Sequence, residues 1–169
     1  SPEKTKIIKF GPIAGIKAKR NGGKPETFDF LGFTHYCSRT RDGKRFRMKR
    51  RTSRKKYTIA IRKFTEWLKA NRTMPTRELM GKVAAKMKGH YAYYGVTDNS
   101  QGIGRYAYEV KKRLFKWLNR RGKRGCMNWE KFNLLLEKFP LPTPRIHVSM
   151  WKSPSRSKPQ KQMHLFASP

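Results

Sequence analysis

The residues with the most definite chemistry form two basic clusters in which almost no acid appears. The first cluster runs from Arg39 to Lys56, and Asp42 is its single acid. Its cations are Arg39, Arg41, Lys44, Arg45, Arg47, Lys49, Arg50, Arg51, Arg54, Lys55 and Lys56. The second cluster, with no acid, comprises Lys111, Lys112, Arg113, Lys116, Arg120, Arg121, Lys123 and Arg124. Because a solvated surface usually mixes charges, such clusters indicate phosphate binding, to which Arg brings a bidentate fork and Lys a point charge.

The overall charge predicts the class of partner. Forty-two Lys and Arg against ten Asp and Glu give a net charge of +32 on 169 residues, so a polyanion is the expected partner. No apolar run of about 18 residues and no signal peptide is visible, so we expect no membrane association. Aromatic residues make up 12% of the chain, which favours a folded core over a disordered basic tail. Nucleic acid, and RNA in particular, is therefore the predicted partner, and further candidate contacts are Lys4, Lys6, Lys82, Lys86, Lys88 and Arg145.

The acidic, histidine and cysteine residues do not form a recognisable catalytic or metal site. Nucleotidyl transfer needs paired carboxylates that hold two metal ions about 3.5–4 Å apart, and the sequence has no Asp-Asp pair. Cys37 and Cys126 lie far apart with no second ligand at zinc spacing, so we expect two reduced thiols. The four histidines also lack endonuclease or metal-ligand spacing; they are His35, His90, His147 and His164. We therefore expect no catalytic residue and no metal or cofactor in this chain alone.

The first third of the chain has the pattern of short strands. Residues 1–27 are predicted to form strands joined by loops, with Lys6–Phe10 as one of them. Phe28–Ser38 is predicted as the next strand, and Asp42-Gly43 as a two-residue hairpin turn with positive φ at both positions. The return strand is predicted at Arg45–Lys49. Because so few strands cannot bury a sheet face alone, we expect the chain to be a fragment or the ordered part of a longer protein.

The remainder has helical periodicity. Ser53 is predicted to cap a helix that ends near Asn71, Pro75 to begin a second, and Ile103–Arg121 to form a third. Asn128 is predicted to cap a short fourth helix, after which the prolines beyond Phe139 require extended chain. The predicted inward-facing residues are Tyr57, Ile61, Phe64, Leu68, Leu79, Val83, Met87, Ile103, Ala107, Val110, Leu114, Trp117, Leu118, Trp129, Phe132, Leu135 and Leu136. The predicted fold class is α+β, with short antiparallel strands and a hairpin followed by an all-α domain of three to four helices.

Three motifs follow one another along the chain. They are Phe28-Asp29-Phe30-Leu31-Gly32-Phe33, then Gly89-His90-Tyr91-Ala92-Tyr93-Tyr94-Gly95, then Phe139-Pro140-Leu141-Pro142-Thr143-Pro144-Arg145-Ile146. In this order, and with Ser1-Pro2-Glu3-Lys4-Thr5-Lys6 before them, they resemble the C-terminal half of a group II intron reverse transcriptase/maturase. The family patterns are F-x-F-L-G-F, G-W-x-N-Y-Y and L-S-x-x-K-T. The chain departs from the second pattern, because His90 stands at its Trp and Ala92 at its Asn.

The resemblance implies a division into three parts. Residues 1–50 would be the terminal strands of the palm, 51–148 the helical thumb or maturase (X) domain, and 149–169 a basic Pro/Ser-rich tail. It also implies a primer-proximal strand made of Phe28, Phe30, Leu31, Gly32 and Phe33. The parent would be an RNA-directed DNA polymerase that also assists RNA splicing, with Mg²⁺ at its palm site and none in this chain.

The partners that the resemblance implies are intron RNA, template RNA, a DNA primer or target, and the fingers and palm of the enzyme. The compartment would be the cytoplasm of a bacterium or an organelle. Three alternatives remain: a non-enzymatic maturase that aids splicing only, a related reverse transcriptase outside introns, such as one attached to a defence system, and a ribosome-associated basic protein. The charge permits the third, whereas the ordered motifs argue against it. Sequence upstream that lacks the carboxylate pair would indicate the first, and genomic neighbours would indicate the second.

The tyrosines of the second motif have two possible roles. Tyr91, Tyr93 and Tyr94 could pack in the helical core, or their rings could stack on unpaired bases. Because Tyr93 and Tyr94 are adjacent on a helix, they cannot both point into one small core. We therefore expect at least one core residue here, and keep Tyr93 and Tyr94 as candidate nucleic-acid contacts.

Overall fold

The computed structural model describes residues 8–40, 42–121 and 127–149. Over these residues the chain is α+β, with five helices and a three-stranded antiparallel sheet of order β1-β2-β3. The elements are α1 (Pro12–Arg20), β1 (Phe28–Phe30), β2 (Phe33–Arg39), β3 (Phe46–Thr52), α2 (Arg54–Ala70), α3 (Thr76–Tyr94), α4 (Ser100–Asn119) and α5 (Trp129–Lys138). Among the described helices, none is both long and apolar enough to cross a membrane.

The first motif forms a hairpin, so the prediction of one strand over Phe28–Ser38 was wrong. Its chain reverses at Leu31 and Gly32, whose φ angles are 48° and 81°. Two successive positive φ values are the geometry of a tight primed turn, which matches the twist of the flanking strands. β1 and β2 consequently pair with each other, with Phe30 opposite Phe33.

The second hairpin was predicted in the right place but with the wrong turn. β2 and β3 pair from Phe33 opposite Thr52 to Arg39 opposite Phe46. The connection is wider than two residues, because the Thr40 amide donates to the Arg45 carbonyl at 2.9 Å. Gly43 has a φ of 72°, whereas Asp42 stays outside the left-handed region and its carboxylate accepts from the Thr40 hydroxyl and the Lys44 amide.

The N-terminal part differs from its prediction. Residues 8–10 of the predicted strand Lys6–Phe10 are not in a strand, and 6–7 lie outside the described residues. Residues 12–20 form α1 instead of strands. Pro12 suits the first helical turn, and the Ala, Lys and Arg residues that follow are good helix formers. No residue of α1 is buried, so it lacks the apolar stripe that would have revealed it.

The helical core agrees with the predicted periodicity. α4 packs against both α2 and α3. The Ser53 hydroxyl accepts from the Lys56 amide at 3.4 Å and caps α2 as predicted, whereas Pro75 is the N-cap of α3 rather than its first residue. The buried side chains of these helices include Ile61, Phe64, Leu68, Leu79, Val83, Met87, Tyr91, Ile103, Ala107, Val110, Leu114, Trp117 and Leu118.

The last helix corrects one core prediction. The Asn128 side chain accepts from the Lys131 amide at 2.9 Å and caps α5, and Phe132 is buried as predicted. Trp129, predicted to face inward, is 56% exposed. It is the first residue of α5, where its ring lies flat against Phe115 at the edge of the core. Beyond Phe139 the described chain forms neither a helix nor a regular strand, and Val148 forms an isolated parallel bridge with Val96.

Candidate nucleic-acid interface

The first and second motifs meet at the end of α3. The Tyr93 hydroxyl donates a hydrogen bond of 2.7 Å to the Leu31 carbonyl. The Phe33 ring stacks on Tyr93 at 5.9 Å and meets Tyr94 edge-on at 5.3 Å between centroids. A Cβ on Gly32 would lie 3.1 Å from the Tyr94 hydroxyl, so the turn approaches this ring closely. The Leu31–Gly32 turn is therefore fastened directly to the helical part.

The third motif meets the second at Gly95. The Gly95 carbonyl accepts from the amides of His147 and Val148, the two residues that directly follow the third motif, at 2.7 and 3.1 Å. A Cβ on Gly95 would lie 2.8 Å from the Arg145 carbonyl, so a larger residue would push the segment away. All three motifs thus converge on the stretch Tyr93–Gly95.

The three tyrosines have different environments. Tyr91 is buried in the core, and its hydroxyl has no hydrogen-bond partner among the described residues. Tyr94 is partly buried against Phe33 and His90. Tyr93 is 53% exposed. Of these tyrosines, Tyr93 therefore has the ring surface available to a partner, next to the Leu31–Gly32 turn.

Basic side chains follow one face of β3. Because side chains alternate along a strand, Arg47, Lys49 and Arg51 share a face, with Tyr36 of β2 opposite Lys49. The Arg51 guanidinium lies over the Tyr36 ring, 5.5 Å from its centroid. Arg50 is on the other face, opposite His35. Lys44 and Arg45 are exposed in the connecting loop, where the Arg39 side chain, itself mostly exposed, reaches the Gly43 carbonyl at 3.5 Å.

The N-terminus of α2 continues this basic surface directly after β3. Arg54, Lys55 and Lys56 are all exposed, and the first turn contains no acid. The N-terminal end of a helix carries a partial positive charge and favours anions. Three cations at this end are therefore repelled by the helix dipole. A Cβ on Gly32 would lie 3.6 Å from the Lys56 side chain, so these cations adjoin the turn of the first motif. We call Lys49, Arg51, Arg54, Lys55 and Lys56, together with Tyr36 and Tyr93, the strand–helix surface.

Two predicted phosphate contacts have partners within the fold. Arg47 forms an ion pair with Asp98 at 3.2 Å, and both side chains are largely buried. The Arg121 guanidinium donates to the Met74 carbonyl at 2.8 Å and to the Thr76 hydroxyl at 3.2 Å, and burial lowers its pKa. Both side chains therefore hold loops of the protein together.

The three predicted lysines of α3 differ from one another in their contacts. Lys82 pairs with Glu78 at 2.7 Å on the surface. The Lys86 ammonium lies 4.6 Å from the Trp67 ring centroid. Lys88 is exposed. The acid-free character of the strand–helix surface does not extend to this helix.

The predicted cations of α4 and of the C-terminal segment are far in sequence from the strand–helix surface. Lys112 and Lys116 are exposed on α4, and the Arg120 guanidinium lies 5.2 Å from the Trp117 ring centroid. Arg145 is exposed in the segment after α5. The remaining predicted contacts lie outside the described residues: Lys4, Lys6, Arg41, Lys123 and Arg124.

The buried histidines and tyrosines have pKa values shifted in favour of their neutral forms. Burial lowers the pKa of His90 to about 4. Burial also raises the pKa of Tyr91 and of Tyr106 to about 12. His35 has a lowered pKa, because it is buried and faces Arg50. Burial therefore favours the neutral form of each of these groups.

The resemblance places a Mg²⁺ site in the palm of the parent, and the described residues of this chain do not offer the ligands for such a site. No three His, Cys, Asp or Glu side chains among them lie together in a way that could hold a metal ion. The acids serve other contacts: Asp98 pairs with Arg47, and Glu109 with Arg113. The arrangement can bind phosphates and bases, and no catalytic step is assigned to it.

Sequence reasoning missed two tyrosines that lie beneath arginine side chains. Tyr36 lies beneath Arg51, and Tyr57 lies beneath Arg105 at 5.2 Å from its ring centroid. The available signal was strand alternation for Tyr36, since it falls opposite Lys49 in the predicted hairpin.

No protein-family model matches the chain, and no curated protein or solved structure is significantly similar to it.

Proposed function

We propose that this chain binds double-helical nucleic acid and folded RNA through the strand–helix surface. The observation that carries this proposal is the junction of β3 and α2, where exposed cations lie in sequence with no acid between them. Phosphate contacts of this kind supply affinity and position without reading sequence. Tyr36 and Tyr93 lie beside them and offer aromatic surface to a sugar or an unpaired base.

We further propose that the chain is the end of the palm and the thumb of a group II intron-type reverse transcriptase/maturase. The three family-like motifs meet at Tyr93–Gly95, and this contact supports the proposal. Motifs that lie far apart in the sequence but touch in the fold are expected to occur together. In such an enzyme the basic surface would hold the template–primer duplex and the intron RNA, in the cytoplasm of a bacterium or in an organelle. Mg²⁺ would bind in the palm of the parent.

Binding to an RNA–DNA hybrid, an RNA hairpin and B-form DNA tests the first proposal. If about 6–10 phosphates are neutralised, affinity falls by about 10³–10⁵ between 50 and 200 mM salt. We expect the two A-form duplexes to bind more tightly than B-form DNA of equal length, because their wide minor grooves expose 2′-hydroxyls. Affinity that does not depend on salt would contradict the proposal.

The natural reading frame tests the second proposal. An active polymerase needs paired carboxylates to hold two metal ions. For such an enzyme we expect a Tyr/Phe-x-Asp-Asp hairpin to be encoded within about a hundred residues upstream of Ser1. Upstream coding sequence without the carboxylate pair would favour a maturase that only assists splicing. In that case the full natural protein should still accelerate splicing of its intron at limiting Mg²⁺. A defence-associated reverse transcriptase would keep the hairpin and have no intron beside its gene.

A further inference from the structure

A groove of about 910 Å³ lies between α2 and α4 and reaches the start of α5. Its lining combines aromatic, apolar and cationic side chains, including Tyr57, Ile61, Arg105, Lys112, Lys116 and Trp129. None of the three motifs contributes to this groove. Its composition therefore needs an explanation of its own.

Trp129 is the most distinctive residue of the groove. It is 56% exposed, although an indole of this size is usually well covered in a folded domain. Its ring stacks on Phe115 with centroids 4.1 Å apart and planes 7° apart, and Phe132 meets it edge-on at 5.7 Å. These contacts fix the ring in place while much of it stays accessible. A fixed aromatic surface binds a flat partner with little loss of side-chain freedom.

The charges around the groove favour an anionic partner. Glu109 is the acid of the lining, and it is paired with Arg113, which also donates to the Thr65 hydroxyl at 2.8 Å. Lys112 and Lys116 are exposed one helical turn apart, and within the described chain neither has a carboxylate partner. Cations accompany the groove from Arg105 to Lys116, which corresponds to about 16 Å of helix at 1.5 Å per residue.

An exposed indole beside unpaired lysines is suited to single-stranded nucleic acid. Such strands bind by stacking bases on aromatic rings while cations follow the backbone. A duplex cannot use Trp129 in this way, because its base faces are covered by neighbouring bases. An acidic peptide would contact the lysines, but Asp and Glu side chains have no flat face to stack on the exposed indole of Trp129.

We propose that this groove binds an unpaired stretch of nucleic acid, with one base stacked on Trp129 and adjacent phosphates at Lys112 and Lys116. The inference rests on the proposed nucleic-acid function and adds a second subsite, for single strand, to the duplex-binding strand–helix surface. One chain would thereby hold a junction where duplex and single strand meet.

Photo-crosslinking of the whole chain with an oligouridine that carries 5-iodouridine tests the proposal. We expect the crosslink on the peptide that contains Trp129. Trp129→Leu should weaken oligouridine binding by about tenfold, within the range measured for base–aromatic stacking, while Trp129→Phe keeps most of the affinity. Tyr108→Leu is the matched control, because Tyr108 is an exposed aromatic residue of α4 outside the groove. Its oligouridine affinity should not change.

A second variant guards against loss of α5 in Trp129→Leu. Lys112→Gln with Lys116→Gln changes only exposed side chains, and should reduce the single-strand salt slope by about 1.4, or 0.7 per phosphate. Crosslinks confined to other aromatic residues, or an unchanged slope in the double variant, would overturn the inference. Displacement of oligouridine from the groove by an acidic peptide of higher affinity would overturn it too.

The duplex measurements separate this inference from the proposed function. We expect Trp129→Leu to bind an RNA–DNA hybrid as tightly as the unaltered chain. If the hybrid binds with strong salt dependence while single strands ignore Trp129, this inference alone fails. If neither form binds, the proposed function fails with it.

Discussion

The buried side chain of Asn99 makes two hydrogen bonds to Thr52, 47 residues earlier in the chain. Its carbonyl oxygen accepts from the Thr52 amide at 2.9 Å, and its amide donates to the Thr52 hydroxyl at 2.8 Å. The same amide donates to the Tyr94 carbonyl at 2.8 Å. Asn99 is 1% exposed and immediately precedes α4. One side chain therefore joins the end of β3, the end of α3 and the start of α4, which fixes the strand–helix surface against the helices.

Replacing Asn99 with Ala should destabilise the protein strongly. The change removes three hydrogen bonds and leaves the Thr52 amide without a partner, whereas the Tyr94 carbonyl still accepts from the Val96 amide at 2.8 Å. An unsatisfied buried group costs about 1–3 kcal/mol and each further lost hydrogen bond about 0.5–1.5 kcal/mol, so we expect the free energy of unfolding to fall by about 2–4 kcal/mol. Urea denaturation measures this, with Asn133→Ala on the exposed side of α5 as the control. Equal stability of the two variants would show that the junction is not held by Asn99.

Two glycines in α4 should respond in opposite ways to Ala. A Cβ on Gly102 would collide with the Asn99 side-chain oxygen and lie 3.0 Å from the Thr52 hydroxyl, whereas a Cβ on Gly104 would meet nothing within 4 Å. We expect Gly102→Ala to lower the free energy of unfolding by about 1–3 kcal/mol. Gly104→Ala should raise it by about 0.5–1 kcal/mol, because Ala loses less backbone freedom in a helix.

Thermal or urea unfolding of the two single variants checks the comparison. Each variant is the control for the other, because both replace a glycine of α4 with alanine and so restrict the unfolded chain in the same way. If both variants were stabilised, the contact between Gly102 and Asn99 would have to be absent in solution.

His90 should make the protein less stable in mild acid. Its ring stacks on Tyr106 with centroids 3.5 Å apart, its Nε2 has no hydrogen-bond partner among the described residues, and burial lowers its pKa to about 4. Between about pH 6.5 and pH 4 the unfolded chain binds a proton there and the folded chain does not. The free energy of unfolding should therefore fall as pH falls through this window, by on the order of 3 kcal/mol.

His90→Phe keeps an aromatic ring in this position and removes the titration. Urea unfolding between pH 4 and pH 7 should then vary less with pH than in the unaltered chain. Some dependence should remain, because His35 also has a lowered pKa and contributes in the same direction. An identical pH profile for the two proteins would mean that His90 has the same pKa in the folded and unfolded chains.

The helical core could be predicted from the sequence because its signal is local and repeated. Residues such as Leu79, Val83 and Met87 recur at the spacing of one helical face, and all three are buried. α1 could not be predicted in this way, because it buries no side chain and has no stripe. The turn at Leu31 was also missed, since positive φ is uncommon for a residue of this type.

The candidate site could be predicted only in part. Charge alone identified the strand–helix surface, because no acid interrupts it. It could not separate Arg47, which pairs with Asp98, from neighbours that remain open to solvent. That distinction depends on contacts between residues about fifty positions apart, such as the one between Asn99 and Thr52. The groove at Trp129 was missed for a related reason, since helical periodicity does not show that the first residue of α5 stays at the edge of the core.

The central claim is that the strand–helix surface binds phosphates, and the salt dependence of RNA–DNA hybrid binding tests it most directly. Four of its exposed cations are changed together to Gln: Arg51, Arg54, Lys55 and Lys56. The control changes four exposed cations outside the surface, from the rest of α2 and the start of α3: Lys63, Lys69, Arg72 and Arg77. Each lost phosphate contact should reduce the slope of log affinity against log salt by about 0.9. We predict a reduction of about 2–4 for the first variant and less than about 1 for the control, whereas an unchanged slope in the first variant would contradict the account.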